Sequence, residues 1–232
     1  MQLFYLENPQ SEIILSAEES KHSIKVLRKK EGDILNFTDG KGMFYKAKII
    51  LADSRKCKLQ VVSSEQKSKN HDYYLHIAIA PTKNIERFEW FLEKASEIGI
   101  TEITPLICNR TEKKFINENR FKKILVSSMK QSLKTHLPKL NSVSNLRDFI
   151  EIKHDEDLFI AHCNESEKEL LIKSINPKSS YLILIGPEGD FTNEEVKKCN
   201  NKKFQNVSLG DTRLRAETAG IVACHTISIA NM

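Results

Sequence analysis

Three short stretches of this 232-residue chain combine residue types suited to holding a small ligand. Ile185-Gly186-Pro187-Glu188-Gly189-Asp190 follows a wholly apolar run. Leu209-Gly210-Asp211-Thr212-Arg213-Leu214-Arg215-Ala216-Glu217-Thr218-Ala219 follows a shorter one, and Ala161-His162-Cys163-Asn164-Glu165 ends a third. Three of the chain's eight glycines (Gly186, Gly189, Gly210) fall in these stretches. Glycine admits unusual backbone angles and close approach of a ligand. Gly-Pro-Glu-Gly is also a serviceable plain turn, so the turn alone leaves both roles open. Arg213 and Arg215 open a helical pattern, where positive charge opposes the helix dipole at a cost of about 0.3–1 kcal/mol. Something must compensate them. Glu217 is one expected partner, and a phosphate or carboxylate ligand is the other.

Other chemistries lack their signatures. There is no GxxxxGK followed by Ser or Thr, no GxGxxG after a first strand, no HExxH and no GxSxG. The seven histidines are scattered, with His22 and His162 closest to candidate sites. The five cysteines are odd in number and contain no CxxC pair, which speaks against a disulfide framework or a zinc site. No metal is expected.

The elements that must position these residues fall into two groups. The first part of the chain reads as short strands: Leu3–Leu6, Ile34–Thr38, Met43–Leu51 and Lys56–Ser63. Asp39-Gly40-Lys41-Gly42 marks a hairpin. Ser16-Ala17-Glu18-Glu19 caps one helix that carries Ile24 and Leu27. The polar run Glu65–Asp72 reads as a linker, giving a β-rich domain over 1–68 and a second domain over 72–232. In the second, strands (Tyr73–Ala80, Ile103–Cys108, Leu158–His162, Tyr181–Ile185, Val207–Leu209) alternate with helices (Ile85–Ile98, Phe121–His136, Glu165–Ile175, a short one after Thr192, and 214–230). Alternation of this kind predicts an α/β fold with a mainly parallel sheet. Ligands of such sheets bind beyond the carboxyl ends of the strands, where the three stretches lie.

Hydrophobic residues make up 40% of the chain and charged residues 29%, enough for a buried core. No apolar run approaches the ~20 residues that span a bilayer, and the N-terminus has no secretory pattern. A cytoplasmic protein without membrane attachment is expected. The net charge is +5, but residues 110–140 hold nine Lys or Arg against two acids. A patch of that kind attracts polyanions, although a solvated helix face has the same composition.

Taken together, these motifs resemble a known family. Leu184-Ile185-Gly186-Pro187-Glu188-Gly189, followed by Leu209-Gly210 and Leu214-Arg215-Ala216-Glu217-Thr218-Ala219, is similar to the bacterial enzymes that methylate N3 of a uridine in 16S ribosomal RNA. They are S-adenosylmethionine-dependent members of the knotted SPOUT class. His22, Val26-Leu27-Arg28 and Gly32-Asp33 match that family's N-terminal module. Lys94, Glu97-Ile98-Gly99-Ile100, Ile103-Thr104-Pro105-Leu106 and Arg110 match its middle, and Gln131-Ser132 with Pro138 match the helix that follows. The chain departs from the pattern at Lys130 (usually Glu), Leu133-Lys134 (usually Gly-Arg), Asp190 (usually a second Gly) and Thr212.

The resemblance implies a trefoil-knotted parallel sheet behind a small PUA-like β-barrel, and a homodimer acting on 16S ribosomal RNA of the small subunit. It implies that S-adenosylmethionine is held by His162, Ile185, Gly186, Glu188, Gly189, Ser208, Leu209, Gly210, Leu214 and Arg215. Arg215 and Glu217 become the catalytic pair, and Arg28, Arg110, Lys130 and Lys134 the RNA contacts. Two alternatives stay open. One is a related knotted ribose 2′-O-methyltransferase, and the other a non-catalytic RNA-binding assembly factor.

Overall fold

A computed structural model of the chain describes every residue except Met1, Asn70, Glu165 and Ser166. Asn70 of the expected linker and Glu165 of the third stretch therefore lie outside the described residues. The chain divides into two compact units, Met1–Asn70 with Met129–Leu137, and His71–Ser128 with Pro138–Met232.

The first unit contains β1 (Leu3–Tyr5), β2 (Glu12–Ile14), α1 (Ala17–Lys21), β3 (Ile34–Thr38), β4 (Met43–Leu51) and β5 (Lys58–Gln66). The strands form one sheet in the order β1-β3-β4-β5-β2. Only β1 and β3 run parallel; the other pairs are antiparallel. Phe4, Ile13, Leu35, Phe37, Ile49 and Leu59 fill its core. The Ser16 hydroxyl accepts the Glu19 N–H (3.2 Å) and starts α1, which continues as a π-helical turn over His22–Val26. Arg28 then takes φ +54° and ends the turn. β5 extends to Gln66, so Glu65 and Gln66 of the expected linker are ladder residues opposite Phe44 and Met43. Backbone pairing there outweighs the polarity of their side chains.

The second unit contains β6 (Tyr74–Ile79), α2 (Ile85–Ile98), β7 (Glu102–Ile107), α3 (Glu118–Gln131), β8 (Lys139–Leu140), β9 (Ser144–Asn145) and α4 (Leu146–Phe149). It continues with β10 (Asp157–Ala161), β11 (Glu169–Leu170), α5 (Leu171–Ser174), β12 (Ser180–Ile185), α6 (Asn193–Asn201), β13 (Gln205–Ser208) and α7 (Ala216–Ala230). The sheet runs β11-β13-β10-β12-β6-β7-β8, with β9 also on β7, and every pair is parallel. Leu182 and Leu184 of β12 pack into a cluster with Phe149, Phe191 and Val196. The intervening Tyr181, Ile183 and Ile185 are buried as well, as expected of an all-apolar strand covered on both faces. On α7, a Cβ at Gly220 would lie 2.6 Å from the Phe91 ring and 3.0 Å from Ile79. Close packing of α7 onto α2 and β6 therefore requires glycine there.

Two helix expectations are corrected. The described part of the helix expected over Glu165–Ile175 forms β11 (Glu169–Leu170), which pairs with β13, and the single turn α5 (Leu171–Ser174). Ladder bonds of Glu169 and Leu170 to Val207 and Ser208 at the sheet edge outweigh the helical spacing of Leu171, Ile172 and Ile175. The helix expected over Phe121–His136 stops at Gln131. Leu133 adopts φ +56°, and the Lys134 N–H bonds the Met129 carbonyl (3.0 Å) in a left-handed helix stop. Thr135 and His136 then join the first unit, His136 bridging Lys41.

Leu133 is thus a departure from the family pattern placed where glycine is conformationally favoured. Its left-handed backbone costs roughly 1–2 kcal/mol, against roughly 0.5–1 kcal/mol of extra chain entropy that glycine would lose on folding. Leu133→Gly is expected to stabilise the protein by about 0.5–1 kcal/mol. Urea denaturation checks this. An unchanged or lower midpoint would mean that contacts of the Leu133 side chain outweigh its strain.

Candidate functional site

Because the strands of the second sheet are parallel, their carboxyl ends open along one edge. The register aligns Ala161 of β10 with Ile185 of β12 and Val207 of β13, and aligns Ile185 with Ile79 of β6. The loops after β10, β12 and β13 therefore leave the sheet side by side. They carry His162, Gly186, Glu188, Gly189, Leu209, Gly210, Leu214 and Arg215, with Ile185 and Ser208 as the last strand residues.

The loops are cross-tied. Asp190 takes φ +62°, at the position where the family pattern has glycine. Its carboxylate accepts the Phe191 N–H (2.8 Å) and the Cys163 N–H (2.7 Å). Aspartate tolerates this backbone better than most residues because its side chain bonds nearby backbone groups. Here it also clamps the β10 loop to the β12 loop. Glu188 accepts the Lys83 N–H (2.9 Å), joining the β12 loop to the chain after β6. Ser208 and Gly210 bond each other through the serine hydroxyl (3.0 and 3.2 Å). The loop after β12 ends in the expected capping box, with Thr192 and Glu195 each accepting the other's backbone N–H.

His162 is 8% exposed, and its Nε2 meets Asn206 Oδ1 at 3.1 Å. Burial lowers its pKa below the usual imidazole value, an effect only partly offset by the Asn206 bond. Its Nδ1 is buried without a hydrogen-bond partner among the described residues.

Glu217 is 6% exposed at the start of α7. The expected partners Arg213 and Arg215 do not pair with it: both are exposed ahead of the helix. Its Oε1 instead lies 3.9 Å from Nε of Arg87 on α2, the helix that packs against α7. Its Oε2 is buried without a hydrogen-bond partner among the described residues. Arg87 stands 130 positions away in sequence, and no local motif marks it.

The expected RNA contacts are dispersed. Arg110 bonds the Gly189 carbonyl (2.6 Å) and so belongs to the loop edge. Arg28, Lys130 and Lys134 lie in the first unit. Arg28 is exposed. Lys130 approaches Glu19 (3.9 Å) and the Phe4 ring (5.9 Å), so part of its charge is already balanced. Among the described residues, no cluster of His, Cys, Asp and Glu is arranged to hold a metal, and no helix is long and apolar enough to cross a membrane.

Comparison with known proteins agrees with this arrangement. Residues 68–228 match the model of the RNA methyltransferase domain family, and residues 15–62 match the RNA methyltransferase PUA domain. Ribosomal RNA small subunit methyltransferase E of Rickettsia conorii is 33% identical over 92% of this chain and 88% of its own. The Bacillus subtilis protein of the same name is 26% identical over 98% and 96%. Among solved structures, a "probable rRNA-methyltransferase" of Porphyromonas gingivalis superposes with a TM-score of 0.93 at 37% identity, covering 99% of both chains. A Legionella pneumophila protein solved in complex with the bound cofactor SAM superposes with a TM-score of 0.86 at 26% identity, covering 99% of this chain and 97% of its own.

Proposed function

This chain belongs to the ribosomal RNA small subunit methyltransferase E family, and from that membership we propose that it methylates N3 of a uridine in 16S ribosomal RNA. The cofactor is S-adenosylmethionine, which supplies an electrophilic methyl group on a sulfonium. One observation carries the reading: the loop with His162, the loop with Gly186 and Gly189, and the loop with Gly210 meet at one edge of a parallel sheet, within a segment matched almost end to end by the family.

The fit rests on this chain's own residues. Gly186 is buried at the strand end, and the buried His162 imidazole keeps an unpartnered Nδ1. Ile185, Gly186, Glu188, Gly189, Ser208, Leu209, Gly210, Leu214 and Arg215 complete the proposed cofactor set. Uridine N3 lies on the base-pairing edge, so the base must be unpaired or extruded before it reacts. N3 gains the methyl group and loses its proton. In this reading Glu217 accepts that proton through its unpartnered Oε2, and Arg215 favours the anionic uracil. Most of the rate enhancement comes from positioning.

The proposal extends to the finer architecture. The β10, β12 and β13 loops form the trefoil knot of the SPOUT class, and residues 1–68 form a PUA-like RNA-binding barrel. The protein acts as a cytoplasmic homodimer. The apolar surface left on α7 by Ile221, Val222 and Ile229 supports a second subunit there.

The test is methyl transfer to small ribosomal subunits from a strain lacking this protein, read by nucleoside mass spectrometry. One 3-methyluridine per subunit is the expected product. A ribose-methylated product would support the 2′-O-methyltransferase alternative. RNA binding without transfer or cofactor binding would support the assembly-factor alternative.

A further inference from the structure

We propose that the loop 112–116 is a base-stacking contact for the RNA substrate, with Phe115 as the stacking face and Lys113 and Lys114 as its phosphate contacts. The inference rests on the ribosomal RNA methyltransferase reading. Phe115 is 89% exposed, far more than the other phenylalanines, most of which are buried. A single exposed apolar residue is ordinary. This one is set apart by how its loop is held and by what flanks it.

The loop is pinned at both ends. Thr111 is buried, and its hydroxyl accepts the Cys108 N–H (2.9 Å) while its own N–H donates to the Cys108 carbonyl (3.1 Å). Asn117 starts α3, its side chain accepting the Arg120 N–H (3.1 Å) and its carbonyl the Phe121 N–H (3.1 Å). The five residues between these anchors leave the same carboxyl edge of the sheet as the glycine loops. Two ties hold them beside the β12 loop. Arg110 bonds the Gly189 carbonyl (2.6 Å). Glu112 pairs with Lys83 (2.9 Å), whose backbone N–H bonds Glu188.

That pairing also removes Glu112 as a repulsive charge. Lys113 and Lys114 form no ion pair among the described residues. An aromatic ring held in the open, directly after two cations in the same short loop, combines the stacking face and positive charge by which proteins hold single-stranded nucleic acid. The ring stacks on a base, and the cations meet neighbouring phosphates. A target uridine that must be unpaired offers neighbouring bases for that contact.

The experiment titrates a fluorescent single-stranded oligoribonucleotide into the full-length protein at several salt concentrations. Cofactor affinity, oligomeric state and methylation of small subunits are measured alongside. Phe115→Ala is expected to weaken RNA binding about 10-fold with an unchanged salt slope. Phe115→Trp is expected to retain binding. The Lys113→Ala, Lys114→Ala double variant is expected to flatten the slope by about 1.4. Cofactor affinity and subunit mass should stay as in the wild type throughout. If Phe115→Ala binds RNA as the wild type does while the wild type methylates small subunits, this inference falls and the methyltransferase reading stands. A change of oligomeric state in Phe115→Ala would also overturn it, by making Phe115 a contact between subunits. If the wild type binds neither RNA nor S-adenosylmethionine, both readings fall.

Discussion

Replacing Gly186 by valine is expected to abolish S-adenosylmethionine binding while leaving the protein folded. Gly186 is the first residue beyond β12, flanked by the carboxyl ends of β10 and β6. A Cβ there would lie 3.0 and 3.1 Å from two carbons of the Phe191 ring and 3.2 Å from the Phe191 backbone nitrogen. Ordinary contacts to a Cβ are 3.4–4 Å. Phe191 is fully buried in the cluster with Leu182, Leu184 and Phe149, so the ring has nowhere to retreat. The outer part of the loop, exposed at Glu188 and Gly189, must give instead, and it is the proposed cofactor wall. The two extra methyls of valine enlarge the displacement. Affinity is expected to fall at least 100-fold, about 2.7 kcal/mol. Calorimetry reads the affinity, and circular dichroism with thermal melting reads the fold. Wild-type affinity in a folded variant would remove the β12 loop from the cofactor site.

A second large effect is expected at Glu217. Glu217→Gln keeps the shape of the side chain and removes its ability to take a proton. If Glu217 is the base, kcat falls by about 100-fold or more, the usual contribution of general base catalysis. Cofactor affinity should hold within about three-fold, since less than 0.7 kcal/mol is then involved. Arg87→Ala should lower kcat in the same direction but less, because Arg87 is half-exposed and Glu217 would keep its place on α7. Arg87→Lys should restore part of the loss. Retention of kcat in Glu217→Gln, measured by single-turnover methylation, would reduce Glu217 to a packing role. Loss of thermal stability without loss of kcat would lead to the same conclusion.

The sequence made the framework readable where a local pattern and the tertiary environment agree. Tyr181–Ile185 is apolar throughout because β12 is covered on both faces, and the Thr192 capping box has both of its bonds. The two-residue strands β8 and β9 could not be read, because pairing with β7 creates them and no periodicity marks them. The glycine loops were visible as composition, and parallel register brings them to one edge. The partner of Glu217 was not visible. Nearest neighbours in sequence suggested Arg213 or Arg215, whereas helix packing supplies Arg87. Asp190 and Leu133 read as simple departures from a family pattern. Their positive φ angles place both at left-handed turns where glycine is favoured, one with side-chain hydrogen bonds and one without such compensation among the described residues.

The return of Met129–Leu137 to the first unit bears on how the protein is made. A nascent chain that has reached residue 70 already holds every strand of the first sheet. It still lacks the Thr135 carbonyl, which accepts the Thr38 hydroxyl (3.1 Å) and the Gly42 N–H (2.9 Å). It also lacks Leu137, whose N–H meets the Gly40 carbonyl (2.8 Å). The β3–β4 turn therefore waits for about sixty further residues, some seconds of synthesis at ~5–20 residues per second. By then β6, α2, β7 and α3 have been made as well. Each unit is assembled from chain on both sides of position 129, and a cut at residue 70 leaves the first unit without its Met129–Leu137 segment.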